Sequence, residues 1–189
     1  MGRYAPTAVI LAVSIAASVA AIVLGGPRTG YLPGIVISTI VVIAITWRYR
    51  PSQYTVWSAA VLLAAYHLGG TLMVGSDVLA HVSIGNSVLR YDRGLHVFGA
   101  IVVVLLIAES WNRSRHVAYG SILALGLATG FAVEGMEVFF ALAAPSVFSY
   151  DLHDSSLDVV SNIVGAVSAI TVLVWTRRTG ARKRYGPAA

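Results

Sequence analysis

Asp92 and His96 stand four residues apart, and Asp154, Asp158 and Asn162 repeat the same spacing. Residues four apart share one face of a helix. The first pair therefore presents an imidazole and a carboxylate to one point, and the second set lines up two carboxylates and an amide. Asp-x-x-x-His can supply two ligands to one metal ion, both suited to zinc or iron. It can equally be an acid that orients a histidine for proton transfer. A plainer role is an Asp complementing a helix N-terminus, with His96 at the headgroups. Gly126, Gly130 and Glu134 also recur every four residues, with Glu137 three further on. Glycines at that spacing let a neighbouring helix approach and draw the glutamates into its contact zone.

The elements that must carry these residues are membrane spans. The chain has 189 residues, 57% of them hydrophobic and only 11% charged, and its mean hydropathy is +0.78. A soluble domain carries about 25% charged residues, so this composition excludes a solvated enzyme domain, a coiled coil and a disordered chain. The expected fold is all-α: a polytopic membrane protein of six transmembrane helices in a single domain. The apolar runs cover approximately residues 7–24, 31–47, 54–74, 95–111, 117–142 and 157–175, and a basic tail occupies 176–189. With no cysteine, disulfides and thiolate ligands are excluded. The first run has only Arg3 as a basic leader and is long for a signal peptide, so it reads as a retained span.

Six spans put both termini on one side, with the loops after the second and fourth. That side holds Arg3, Arg48, Arg50, Arg113, Arg115, Arg177, Arg178, Arg182, Lys183 and Arg184, ten of the thirteen basic residues. Both termini are therefore expected in the cytoplasm, in a multi-pass protein of the inner, cytoplasmic membrane. Trp47, Trp57, Trp111 and Trp175 fall at the same ends, as an interfacial belt does. The net charge of +5 thus reports topology. It lacks the interleaved aromatics of a nucleic-acid surface, so the expected partners are membrane lipids and no nucleic acid.

The acids run the other way. Of eight, only Glu109 lies at the cytoplasmic end. Counted back from Leu142 at 1.5 Å per residue, Glu134 lies about 12 Å and Glu137 about 7 Å inside the outer end of its helix. A carboxylate at that depth must be paired, protonated or liganded, or be a structural interhelical donor. Asp154 and Asp158 suit a helix N-terminus, with Ser155 and Asp158 as a variant capping box. Capping leaves Asn162, one turn deeper, without a partner. His67 lies about 10 Å inside its span, where it serves as an interhelical donor or joins the acids. His81 and Asp77 read as surface residues of the loop from Gly75 to Arg90, and His153 as a water-facing residue with a ligand role as the alternative. His116 and Glu109, on the opposite side, read as solvated.

Tyr91-Asp92-Arg93-Gly94-Leu95-His96, Glu134-Gly135-Met136-Glu137 and Asp151-x-x-Asp154-Ser155-x-x-Asp158 with Asn162 and Gly165 occur in that order. This series resembles the YjdF-type family of bacterial and archaeal inner-membrane proteins, over roughly Tyr91 to Gly165. The family pattern has Tyr where this chain has Val133, and Thr where it has Ser155. The last element, Asp158 to Gly165, is also similar to the final helix of VanZ-like membrane proteins. The YjdF-type resemblance implies a site and names no reaction.

Three functions compete on these residues. A membrane-embedded hydrolase or transferase would use Asp92, His96, Glu134 and Asp158 in catalysis. A divalent ion, zinc or iron, would be held by His96, Asp92, Glu134, Asp154 and Asp158. Arg93 would hold a lipid phosphate or other anion, and Glu137, Asp151 and Asn162 would complete the binding site for a lipid-like substrate. The alternative is a non-enzymatic polar network that fixes helix packing and a lipid or antibiotic site, as the VanZ-like resemblance implies. The third is a small ion- or proton-coupled transporter, although the acids gather at one side and no paired broken spans are visible.

Overall fold

The computed structural model describes residues 8–12, 15, 16, 19, 23, 32–75, 77–83, 90–112, 118–143, 145 and 151–185. The described part of the first apolar run, α1, is helical at 8–12, 15, 16, 19 and 23. It is followed by α2 (Leu32–Tyr49), α3 (Gln53–Thr71), α4 (Tyr91–Asn112), α5 (Tyr119–Ala143) and α6 (Leu152–Tyr185). Between α3 and α4 lie β1 (Met73–Val74), β2 (Asp77–Val78) and a short 3-10 turn, Leu79–His81. Among the described residues, three helical stretches are long and apolar enough to cross a membrane: Tyr91–Trp111, Tyr119–Ala143 and Leu152–Arg177. Thr39–Tyr49 is a shorter apolar helical stretch.

The boundaries depart from the apolar runs for local reasons. α2 stops where Arg50 takes a left-handed φ of 51° and donates its N–H to Thr46 O, just before Pro51, which cannot continue the ladder. α3 ends three residues short of Val74, at the weak helix formers Gly69, Gly70 and Thr71. Leu72 turns extended, and β1 pairs with β2 in an antiparallel hairpin, Met73 opposite Val78. Gly75, with φ 65°, supplies the positive φ that a two-residue hairpin turn requires. This hairpin and an isolated bridge between Ser83 and Arg90 are the β-structure among the described residues. α4 starts at Tyr91 rather than Leu95 because a polar first turn is tolerated at a helix N-terminus. α6 starts five residues before the apolar run and continues through Tyr185 into the basic tail. Its 34 residues span about 51 Å at 1.5 Å each, more than a bilayer core of about 30 Å.

α3 and α4 are antiparallel: Tyr91, at the start of α4, donates its hydroxyl to Ala65 O late in α3, at 2.8 Å. The Tyr91 ring lies over Gly69, where an added Cβ would sit 2.9 Å from Cε1. At the other end of the pair, Glu109 reaches the start of α3. α4 and α6 are parallel, because Arg93 meets Asp154 and, further along both, Ala100 meets Gly165. α5 runs against both: Gly126 faces Val104 and Gly130 faces Asn162, while Arg177 lies 5.2 Å from the Tyr119 ring centroid. α4 is thus central, touching α3, α5 and α6. The N-terminal ends of α4 and α6 meet the C-terminal half of α5 at one end of the bundle.

Small residues make this packing close. Ala100, Val104 and Ala108 of α4, Ile122 of α5, and Ala166 and Ala169 of α6 form one buried cluster. Alanines let helix backbones approach where lipid supplies no hydrophobic drive for association. Ala59 joins α3 to Val102 and Leu106 of α4, and Ile10 ties α1 to Ala60 and Leu63 of α3. The opposite faces carry exposed Phe131, Met136, Phe139 and Leu142 on α5 and exposed Val160, Val164, Val167 and Val172 on α6. Continuous apolar exposure of this extent is a liability in water and the expected lipid-facing surface in a bilayer.

One solvated residue proves to be structural. The sequence reads Glu109 as solvated. Instead its carboxylate accepts hydrogen bonds from Ser52 N (2.5 Å), Ser52 Oγ (2.8 Å) and Thr55 Oγ1 (2.7 Å). Ser52 caps α3 by accepting from Thr55 N, and a negative charge beside this N-terminus also complements the helix dipole. His116 lies outside the described residues.

Candidate functional site

Three helices converge on His96. It lies one turn and a half into α4, with a side chain only 10% exposed. Its two ring nitrogens face different partners. Nδ1 lies 3.4 Å from Glu134 Oε1 of α5 and 3.3 Å from Asn162 Nδ2 of α6. Nε2 lies 3.8 Å from Asp92 Oδ1 and 3.9 Å from Asp158 Oδ2. Asn162 Nδ2 also donates to Glu134 Oε1 at 3.3 Å, so the amide bridges histidine and glutamate. Gly130 makes room for it: a Cβ there would lie 3.1 Å from Asn162 Cβ. The glycine stripe on α5 therefore serves the site as well as the packing.

Asp92, His96 and Asp158 form a group whose ligand atoms lie within 4.8 Å of one another. Asp158 and Glu134 are buried. Glu134 Oε2 and Asp158 Oδ1 accept no hydrogen bond within the described residues. Two buried carboxylates with open acceptor positions beside a histidine can ligate a cation or receive a proton. The parallel arrangement of α4 and α6 explains why the acids gather here: two helix N-termini point their unmatched N–H groups at this end.

The spacing on α6 places Asp154 differently from Asp158. Asp154 Oδ1 accepts from Arg90 Nη1 at 2.5 Å and from Arg93 Nη2 at 2.6 Å. Arg93 Nε lies 3.9 Å from Asp158 Oδ1. Asp154 is thus one turn outside the His96 cluster, in an arginine pair. Arg93 is buried, whereas Glu137 is exposed, as is Asp151. Asp151 starts α6, its Oδ1 accepting from His153 N at 2.9 Å and its carbonyl from Ser155 N. His153 is exposed and lies outside the metal-like group. His67 is fully buried in α3, its ring edge-on to Tyr66 at 6.1 Å, and is likewise outside that group. His81 is exposed in the 3-10 turn. Val133 is exposed, on a different face from the buried Glu134.

The residues 6–179 match the family described as Predicted membrane protein (DUF2238). The chain belongs to the DUF2238 family. No curated protein and no solved structure matches it. The apolar helices of this DUF2238 protein fit the membrane-protein description of its family, and they bring an acidic, histidine-containing cluster together at one end.

Arg90, at the end of the loop that begins at Gly75, is a site residue that motif spacing does not single out. It pairs with Ser83 in an isolated β-bridge, and its carbonyl accepts from Gly94 N at the start of α4. A sequence signal existed: Arg90 and Arg93 are three apart, the spacing of neighbours on a helix face. It was hidden because the apolar run starts only at Leu95.

Proposed function

We propose that this chain is a YjdF-type protein of six spans with both termini cytoplasmic, carrying a divalent metal site at its extracytoplasmic end. The site serves hydrolysis or group transfer on a lipid-like substrate. The observation that carries the reading is the convergence of Asp92, His96 and Asp158 on the Nε2 side of one imidazole. Ligand atoms around an ion at about 2.0–2.2 Å stand roughly 3–3.5 Å apart. Closing from the present spacing needs only about 1 Å of side-chain movement. The donor set, one imidazole and two carboxylates, suits zinc or non-haem iron and leaves positions open for water or substrate.

Glu134 lies on the Nδ1 side of His96, outside the three-residue group, and has the position of a proton acceptor. Its Oε1 is held by Asn162, and its Oε2 is buried and open. When bound, a divalent ion lowers the pKa of water and polarises a phosphoryl or carbonyl oxygen. The chain's residues then hold the ion, orient His96 and take up the proton.

The test is metal content. Purified in detergent, the protein should retain about one equivalent of zinc or iron by mass spectrometry, lost in His96→Ala and in Asp158→Asn while both remain folded. No metal in wild type, together with a large stability loss in both variants, sinks the enzyme reading. A second reading is favoured by the Asn162 bridge between His96 and Glu134. It makes the cluster a packing network with a VanZ-like, non-enzymatic lipid or antibiotic role, which that second outcome selects.

A further inference from the structure

Arg90 and Arg93 direct two guanidinium groups at a single oxygen of one carboxylate, Asp154 Oδ1. This leaves a surplus of donors. Arg93 Nη1, Arg93 Nε and Arg90 Nε are buried and make no hydrogen bond within the described residues. The Arg93 side chain is only 8% exposed. Asp158, 3.9 Å from Arg93 Nε, is the other ion-pair partner of these arginines among the described residues. A guanidinium offers five donors in a fixed fork that suits the oxygens of a phosphate. One carboxylate oxygen cannot occupy two such forks.

The surroundings suit an anion of higher charge. The parallel helices α4 and α6 both begin here, and helix N-termini favour phosphate. Asp154 is in the first turn of α6, with 27% of its side chain exposed, and Arg90 is 18% exposed. The pair is therefore reached from the rim. It adjoins the His96 cluster through Arg93 and Asp158.

We propose that Arg90 and Arg93 form a clamp for a phosphate monoester, and that Asp154 occupies this clamp as a built-in competitor until the phosphate displaces it. The phosphate belongs either to a lipid headgroup or to a free anion. The assignment deepens the proposed reaction by naming its substrate class, and to that extent rests on it.

Competition predicts opposite signs for neighbouring substitutions. The full-length protein in detergent is titrated calorimetrically with inorganic phosphate and, separately, with dihexanoyl phosphatidic acid, using dihexanoylglycerol as the uncharged control. Arg93→Gln should weaken binding about ten- to a hundredfold, the range for losing hydrogen bonds to a charged group. Arg90→Gln, at the more exposed position, tests the same clamp where Arg93→Gln fails to fold. Asp154→Asn should tighten binding several-fold. Binding of the lipid alone identifies a headgroup, and equal binding of both probes identifies a free-phosphate site; either supports the clamp. Absence of saturable binding in both wild type and Asp154→Asn overturns it, as does binding indifferent to the arginine substitutions or weakened by Asp154→Asn. Bound metal is counted on the same samples, with and without chelator. Phosphate binding without metal keeps the clamp and removes the metal reading, whereas metal without phosphate binding removes the clamp alone.

Discussion

Gly165 of α6 sits directly against Val97 of α4: a Cβ at residue 165 would collide with the Val97 carbonyl oxygen and approach Ala100 Cβ to 2.9 Å. The obstacle is backbone, which cannot swing aside as a side-chain tip can. This crossing lies less than a turn beyond Asn162 and holds α4 and α6 close enough for His96 to meet Asp158. Gly165→Ala should therefore cost about 1–3 kcal/mol, the usual range for overpacking, and should reduce metal retention. Thermal unfolding in detergent with parallel metal analysis checks both.

Other glycines on these helices should behave oppositely. A Cβ at Gly120 or Gly135 meets nothing within 4 Å. Replacing glycine by alanine in a helix gains up to about 1 kcal/mol, so Gly120→Ala and Gly135→Ala should be neutral or stabilising. The contrast with Gly165→Ala in one set of melts separates close helix approach from simple flexibility.

Asp154 and Asp158, four residues apart on one face, should separate cleanly. Asp158 belongs to the group with Asp92 and His96, whereas Asp154 binds the arginines. Asp158→Asn should abolish metal retention and Asp154→Asn should preserve it. Equal loss in both, measured by mass spectrometry on folded protein, would count against the separation of the two groups.

Glu109 ties α4 to the start of α3. Truncating an acceptor of three hydrogen bonds leaves their donors unmatched, so Glu109→Ala should destabilise by about 2–3 kcal/mol. Ser52→Ala should cost about 1 kcal/mol, because it removes the hydroxyl that accepts from Thr55 N at the α3 N-cap. Because Ser52 and Glu109 bond directly, the double variant should lose less than the sum, with a coupling of about 0.5–3 kcal/mol. Equilibrium unfolding of the four proteins measures it.

The absence of cysteine makes topology directly testable. Ser156→Cys lies beside the His96 end of the bundle, and Ala118→Cys lies at the opposite end, beside Tyr119. With both termini cytoplasmic, a membrane-impermeant maleimide added to intact cells should label the cysteine at 156 and spare that at 118, with the pattern equalising after lysis.

The sequence alone determined the solvent and the faces. Scarce charge requires a bilayer, and a four-residue period puts Asp92 with His96, and Asp158 with Asn162, whatever those helices pack against. It also placed Glu134 on a glycine stripe, because only small residues permit close approach at such a face. Tertiary structure decided which faces meet. Alternation of spans already makes α4 and α6 parallel; that the two are neighbours, in contact at Gly165 and Ala100, depends on packing between residues distant in the chain. The same contact divides the α6 acids, sending Asp158 to histidine and Asp154 to arginine, although their local spacing is identical. Arg90 and Glu109 were illegible for a related reason. Each is explained by a partner more than fifty residues away, and helical periodicity carries information only along one helix.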